Sequence, residues 1–140
     1  MRQFVVDASV AAKWYLPEPQ SDHAAALLAD PGALLAPDIL YVEVAEVVWQ
    51  RVAWGEVDPA TAGEIMAELR KVPFELLSTT ELIADALPLA LENRCTLRDA
   101  LYLALAVQAN CPLVTADRKL HDTLKTGPRA AHVLWIEDLE

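Results

Sequence analysis

Short apolar runs alternate along this chain with longer stretches whose apolar positions recur at helical spacing. FVV at residues 4–6 reads as a short buried strand, and ASVAAKWYL at 8–16 as a first helix stopped by Pro17 and Pro19. Residues 21–29 form a second short helix with Ser21 as its cap. DPG from Asp30 is a turn signal, and ALLA at 33–36 is a strand. Pro37 stands near the start of a long helix, where its missing N–H costs little; that helix runs to Trp54, and Gly55 stops it. Asp58 caps the next helix, with Pro59 at its first position. FELL from Phe74 is strand-like. Thr79 or Thr80 caps a helix to Asn93 that Pro88 bends or breaks, and Thr96 starts another to Ala109. PLVTA from Pro112 is a buried strand, Asp117 opens a short helix, and HVLWI from His132 is a last strand.

Strands that are apolar on both faces and alternate with helices imply a parallel sheet covered on both sides. The expected class is therefore α/β, a three-layer α/β/α sandwich around a mostly parallel sheet. A length of 140 residues favours one domain spanning 1–140. In such open sheets ligands bind beyond the carboxyl ends of the strands. Asp7 follows FVV there, and Asp117 follows LVTA.

Composition narrows the class. With 54% hydrophobic and 23% charged residues the chain is globular. Its longest apolar run, residues 100–107, is far below the ~18 to 20 residues of a membrane span. With no leader-like segment before the first strand, a cytoplasmic protein without membrane association is expected. Cys95 and Cys111 flank a helix of about a dozen residues, ~18 Å long, whereas a disulfide needs Cα atoms within ~7 Å. Free thiols are expected, and no Cys/His spacing suggests zinc.

The net charge of −10 argues by itself against nucleic acid, because a phosphate footprint is normally basic. It leaves room for an enzyme whose carboxylates are covered by divalent cations. Residues 117–129 also form a local basic stretch, with Arg118, Lys119, Lys125 and Arg129 against Asp117 and Asp122.

Each candidate acid has an ordinary structural reading. Asp7 and Asp117 suit helix caps. Asp99 lies three residues after Thr96, close to a capping box and in a first turn where negative charge is favourable. Glu43, Glu46 and Gln50 form a polar strip on a helix whose opposite side carries Leu40, Tyr41, Val44, Val48 and Val52. Together these acids can converge on one crevice, where hard divalent cations would neutralise them and activate water on a phosphodiester. Ser9 and Thr115, two residues from Asp7 and Asp117, are placed to orient ligand carboxylates. Lys13, Arg98, Arg118 and Lys119 are candidate phosphate contacts, and His121 is a weak catalytic candidate. The four tryptophans fit core or interface better than base stacking.

The segments VVDASVAAKWYLPEP, APDILYVEVAEVVWQRVAWGEVD and LRDALYLALAVQANCPLVTADRKL resemble the successive motifs of PIN-domain ribonucleases, most closely the VapC toxins of toxin–antitoxin pairs. The resemblance covers nearly the whole chain in order. It implies that Asp7, Glu43, Asp99 and Asp117 bind Mg2+ or Mn2+ and hydrolyse single-stranded or loop RNA. Glu46 stands where the family commonly has Asn. The resemblance also implies a homodimer silenced by a small cognate antitoxin. A receiver domain would need paired acids at the first strand, and a haloacid-dehalogenase-type phosphatase an Asp at position 9, where Ser stands. The remaining alternative is a catalytically inactive PIN-like binding or assembly module, against which the presence of all four acids speaks.

Overall fold

The computed structural model describes residues 2–29 and 32–139. Asp30 and Pro31, on which the expected DPG turn rests, lie outside the described residues. Among the described residues five strands form one sheet: β1 Gln3–Val6, β2 Ala33–Pro37, β3 Glu75–Leu77, β4 Leu113–Thr115 and β5 Val133–Trp135. Their order is β3-β2-β1-β4-β5, and every pairing is parallel. Successive strand residues point to opposite faces, and Phe4, Val5 and Val6 are all buried. Both faces of β1 are therefore covered, as the apolar runs required.

Among the described residues seven α-helices pack around the sheet: α1 Ala8–Ala11, α2 Ser21–Ala29, α3 Leu40–Ala53, α4 Pro59–Leu69, α5 Thr79–Asn93, α6 Leu97–Ala109 and α7 Arg118–Lys125. α6 is the centre of the core. Its residues from Ala100 through Ala106 are buried without interruption, the mark of a helix enclosed on every side. It contacts β1, β2 and β4 and packs along α5.

Three boundaries differ from the sequence expectation. The first helix is one α turn that tightens into a 3-10 turn at Ala12–Trp14, because Pro17 forces the preceding residue toward extended backbone. Pro37 ends β2, paired with Leu77, and the long helix begins only at Leu40. α5 is capped by Ser78, whose hydroxyl accepts from the Thr80 N–H, and by Asp38 from a distant loop, whose carboxylate accepts from the Thr79 N–H. Pro88 lies inside α5 without ending it. It sits on the exposed side, where the carbonyl it leaves unpaired meets water, and Leu82, Ala86, Leu89 and Ala90 hold the opposite side in the core. Both cysteines are free thiols.

Candidate active site

The strand order reverses between β1 and β4: the chain proceeds from β1 to β2 and β3 on one side, and from β4 to β5 on the other. A crevice opens at the carboxyl ends flanking such a switch point. Here it is a cavity of about 300 Å3 lined by Asp7, Ser9, Glu43, Glu46, Asp99 and Asp117, among others. The four predicted acids thus reach one cavity from four places: the end of β1, the first turn of α3, the first turn of α6 and the end of β4.

Asp7 is 6% exposed and has the backbone of an N-cap, yet its carboxylate makes no capping bond. Its Oδ2 instead accepts from the Ser9 hydroxyl at 2.8 Å and the Thr115 hydroxyl at 2.7 Å. Those hydroxyls accept in turn from the backbone N–H groups of Ala116 and Asp117 at 3.0 Å. Two small side chains therefore tie the β1 end to the β4 end and hold Asp7 between them. Burial lifts the Asp7 carboxyl from 3.8 to about 7; the two hydroxyls work against that rise, and the charges of Asp99 and Glu43 add to it.

Glu43 is held from two sides. The Tyr102 hydroxyl donates to its Oε1 at 2.6 Å, and Arg98 approaches its Oε2 at 3.5 Å while bonding Glu46 at 3.2 Å. Burial raises the Glu43 carboxyl above its ordinary value, opposed by the Tyr102 bond and the Arg98 charge. Burial, together with the charges of Asp7 and Glu43 beside it, drives the Tyr102 hydroxyl far upward, so it remains a donor. The Asp99 N–H donates to the Thr96 hydroxyl at 3.1 Å, completing the α6 start. The Asp99 carboxyl is raised by burial first and by Asp117, with Thr96, Arg98 and Lys119 pulling it down. Asp117 does cap α7, accepting from the Leu120 N–H at 3.2 Å.

The donor set is all hard oxygen, the chemistry of Mg2+ and Mn2+ rather than zinc. The carboxylates share a cavity without closing on one point. Among the described residues no three His, Cys, Asp or Glu side chains are gathered tightly enough to hold an ion as they stand. Each of Asp7, Glu43 and Asp99 has a neighbouring carboxylate among the smaller causes of its raised value, after burial. Side-chain rotation of exposed acids such as Asp117 is what a cation would require.

The predicted phosphate contacts fare unequally. Lys13 is buried and paired with Glu18 at 3.4 Å, so it does not face the crevice rim; the short first helix turns it inward. Arg98 spends its charge on Glu43 and Glu46. Arg118 lies over the Trp135 ring at 3.7 Å. Lys119 lines a cavity that shares Asp99 and Asp117 with the acid crevice. His121 packs against Trp135 and does not line the acid crevice.

The PIN-domain family matches residues 4–125, most of the chain, with every acid described above inside the match. The chain belongs to the PIN-domain family. It is similar to Ribonuclease VapC3 of Pyrobaculum aerophilum, 33% identical over 120 residues that cover 84% of this chain and 92% of that protein. This PIN domain shares its fold with PAE2754 of Pyrobaculum aerophilum, with a TM-score of 0.72 at 24% identity over 97% of this chain and 85% of that one. A toxin–antitoxin complex from Klebsiella pneumoniae aligns with a TM-score of 0.65 at 18% identity, covering 96% and 98%. The sarcin–ricin-loop-cleaving toxin VapC20 of Mycobacterium tuberculosis aligns at 0.67 and 15% identity, covering 85% and 93%.

Within this PIN domain the side chain that sequence reading passes over is Tyr102. It lies three residues after Asp99, on the same side of α6, and that spacing is the available signal. No helix is long and apolar enough to cross a membrane among the described residues.

Proposed function

We propose that this PIN domain is a metal-dependent endoribonuclease of the VapC type. The observation that carries the reading is the meeting of Asp7, Glu43, Asp99 and Asp117 in one cavity at the switch point of the sheet. The likeness to Ribonuclease VapC3 supports RNA as the substrate. The four carboxylates would hold Mg2+ or Mn2+, which when bound polarises a phosphodiester and makes a water a better nucleophile. The protein's own part is positioning. Ser9 and Thr115 fix one oxygen of Asp7, and Tyr102 and Arg98 fix Glu43. Such fixed ligands lower the reorganisation needed at the moment of reaction.

The toxin–antitoxin complex among the structural neighbours supports a small cognate antitoxin as inhibitor. Exposed Trp49, Ile83, Leu87 and Leu91 offer apolar area for that partner or for a homodimer. An inactive binding module is the weaker reading, because a module without chemistry has no need of four acids in one cavity. The test is incubation of the purified protein with defined single-stranded RNAs and Mg2+ or Mn2+. Cleavage that stops on chelation and returns with either ion is expected. Cleavage that survives thorough chelation would sink the metal mechanism, and intact RNA throughout would favour the module.

A further inference from the structure

The acid crevice continues into two further cavities. One of about 480 Å3 shares Asp99 and Asp117 with it and is lined by Lys119, Arg94 and Thr123. The next, about 520 Å3, shares Arg94 and Thr123 and ends at Asn93 and Gly127. The three form one groove between the α5–α6 junction and α7.

The cations in this groove are different from most others in the chain. Lys13, Arg51, Lys71, Arg98 and Lys125 are each paired with carboxylates. Arg94 and Lys119 are exposed and have no ion-pair partner among the described residues. Arg94 is held by its backbone, a left-handed residue with φ of 57° that closes α5 and donates its N–H to Ala90. At the far end Asn93 is 4% exposed. Its Nδ2 donates to the Leu89 carbonyl at 3.0 Å, which settles the amide's orientation. Its Oδ1 makes no hydrogen bond and is closed off beneath Gly127, so Asn93 packs the end wall of the groove and does not face into it.

We propose that this groove is the track of the RNA strand beside the acid crevice, an inference that rests on the ribonuclease reading. Lys119 and Arg94 bind backbone phosphates. Phosphate contacts of this kind fix register without reading sequence. They also lessen the charge problem of a chain at −10: Arg94 and Lys119 stand along a groove whose other charged lining residues are Asp99, Asp117 and Glu92.

The test uses Asp99→Asn protein, in which cleavage is blocked, and fluorescence anisotropy with a labelled single-stranded RNA in Mg2+. Adding Arg94→Gln and Lys119→Gln together is expected to weaken binding about tenfold and to flatten the salt dependence of log K by about 1.4, as for two lost phosphate contacts on a single strand. Arg70→Gln with Lys71→Gln removes the same charge from the end of α4 and serves as control. Equal weakening by the control pair, or an unchanged salt slope, overturns the track. Cleavage by the parent protein is measured in parallel. Loss of the binding difference with cleavage intact refutes the track alone. Binding that depends on Arg94 and Lys119 without cleavage by the parent refutes the ribonuclease reading and keeps the track.

Discussion

Replacing Asp7 by Asn should stabilise the metal-free protein at pH 8. The carboxyl is held at about 7 against an ordinary 3.8. A carboxyl raised in the folded state stays protonated there after the unfolded chain has lost its proton. The folded state then binds more protons than the unfolded one, so stability falls as pH rises between the two values. The penalty is absent below the ordinary value and complete above the folded one. A gap of about three pH units, at about 1.4 kcal/mol each, makes it roughly 4 kcal/mol. The amide in Asp7→Asn carries no charge and escapes it. Its oxygen still accepts from Ser9 and Thr115, as a weaker neutral acceptor that gives back about 1 kcal/mol. The expected net gain is about 2 to 3 kcal/mol at pH 8, or a rise in Tm of roughly 6 to 10 °C for a chain of this size. At pH 4 the gain should vanish or reverse. Urea denaturation of both proteins in chelator, from pH 4 to 8, measures this directly. A variant less stable than its parent by the same amount at both ends would refute the reasoning, because it would mean that Asp7 is not held against its charge.

Glu43→Gln should lower kcat/KM for RNA at least about tenfold more than Glu46→Gln, since Glu43 is fixed by Tyr102 and the Glu46 side chain is 60% exposed; the opposite order in steady-state cleavage assays would assign the strip wrongly. Tyr102→Phe removes the bond that holds the Glu43 carboxyl down. The acid limb of the pH–rate profile should therefore move to higher pH, with about 1 to 2 kcal/mol of stability lost in urea denaturation, and an unmoved limb would argue that Glu43 does not need to be ionised for cleavage.

The alternation of apolar runs makes the parallel sheet and its covering helices legible, and the run from Ala100 through Ala106 marks α6 as buried. It cannot show the strand order, because the switch between β1 and β4 depends on packing far apart in sequence. Nor can it show whether the Asp7 carboxylate caps its helix. That choice is made by Thr115, more than a hundred residues away, whose hydroxyl reaches Asp7 and leaves it no capping role. The opposite outcome at Asp117, which does cap its helix, has the same local signal. Lys13 looks like a rim cation in the sequence for a related reason: only the turn after Trp14 brings Glu18 back to cover it. Pro37 reads as a helix start because proline suits both a helix start and a strand end, and its pairing with Leu77 decides between them.

Asp99 lines both the acid crevice and the groove beside it, so its loss tests the account most directly. Parent and Asp99→Asn proteins, shown by circular dichroism to be equally folded, are incubated with the same single-stranded RNA and Mg2+. The account predicts cleavage by the parent and a loss of at least about a hundredfold in the variant. Equal cleavage by the two proteins would contradict it.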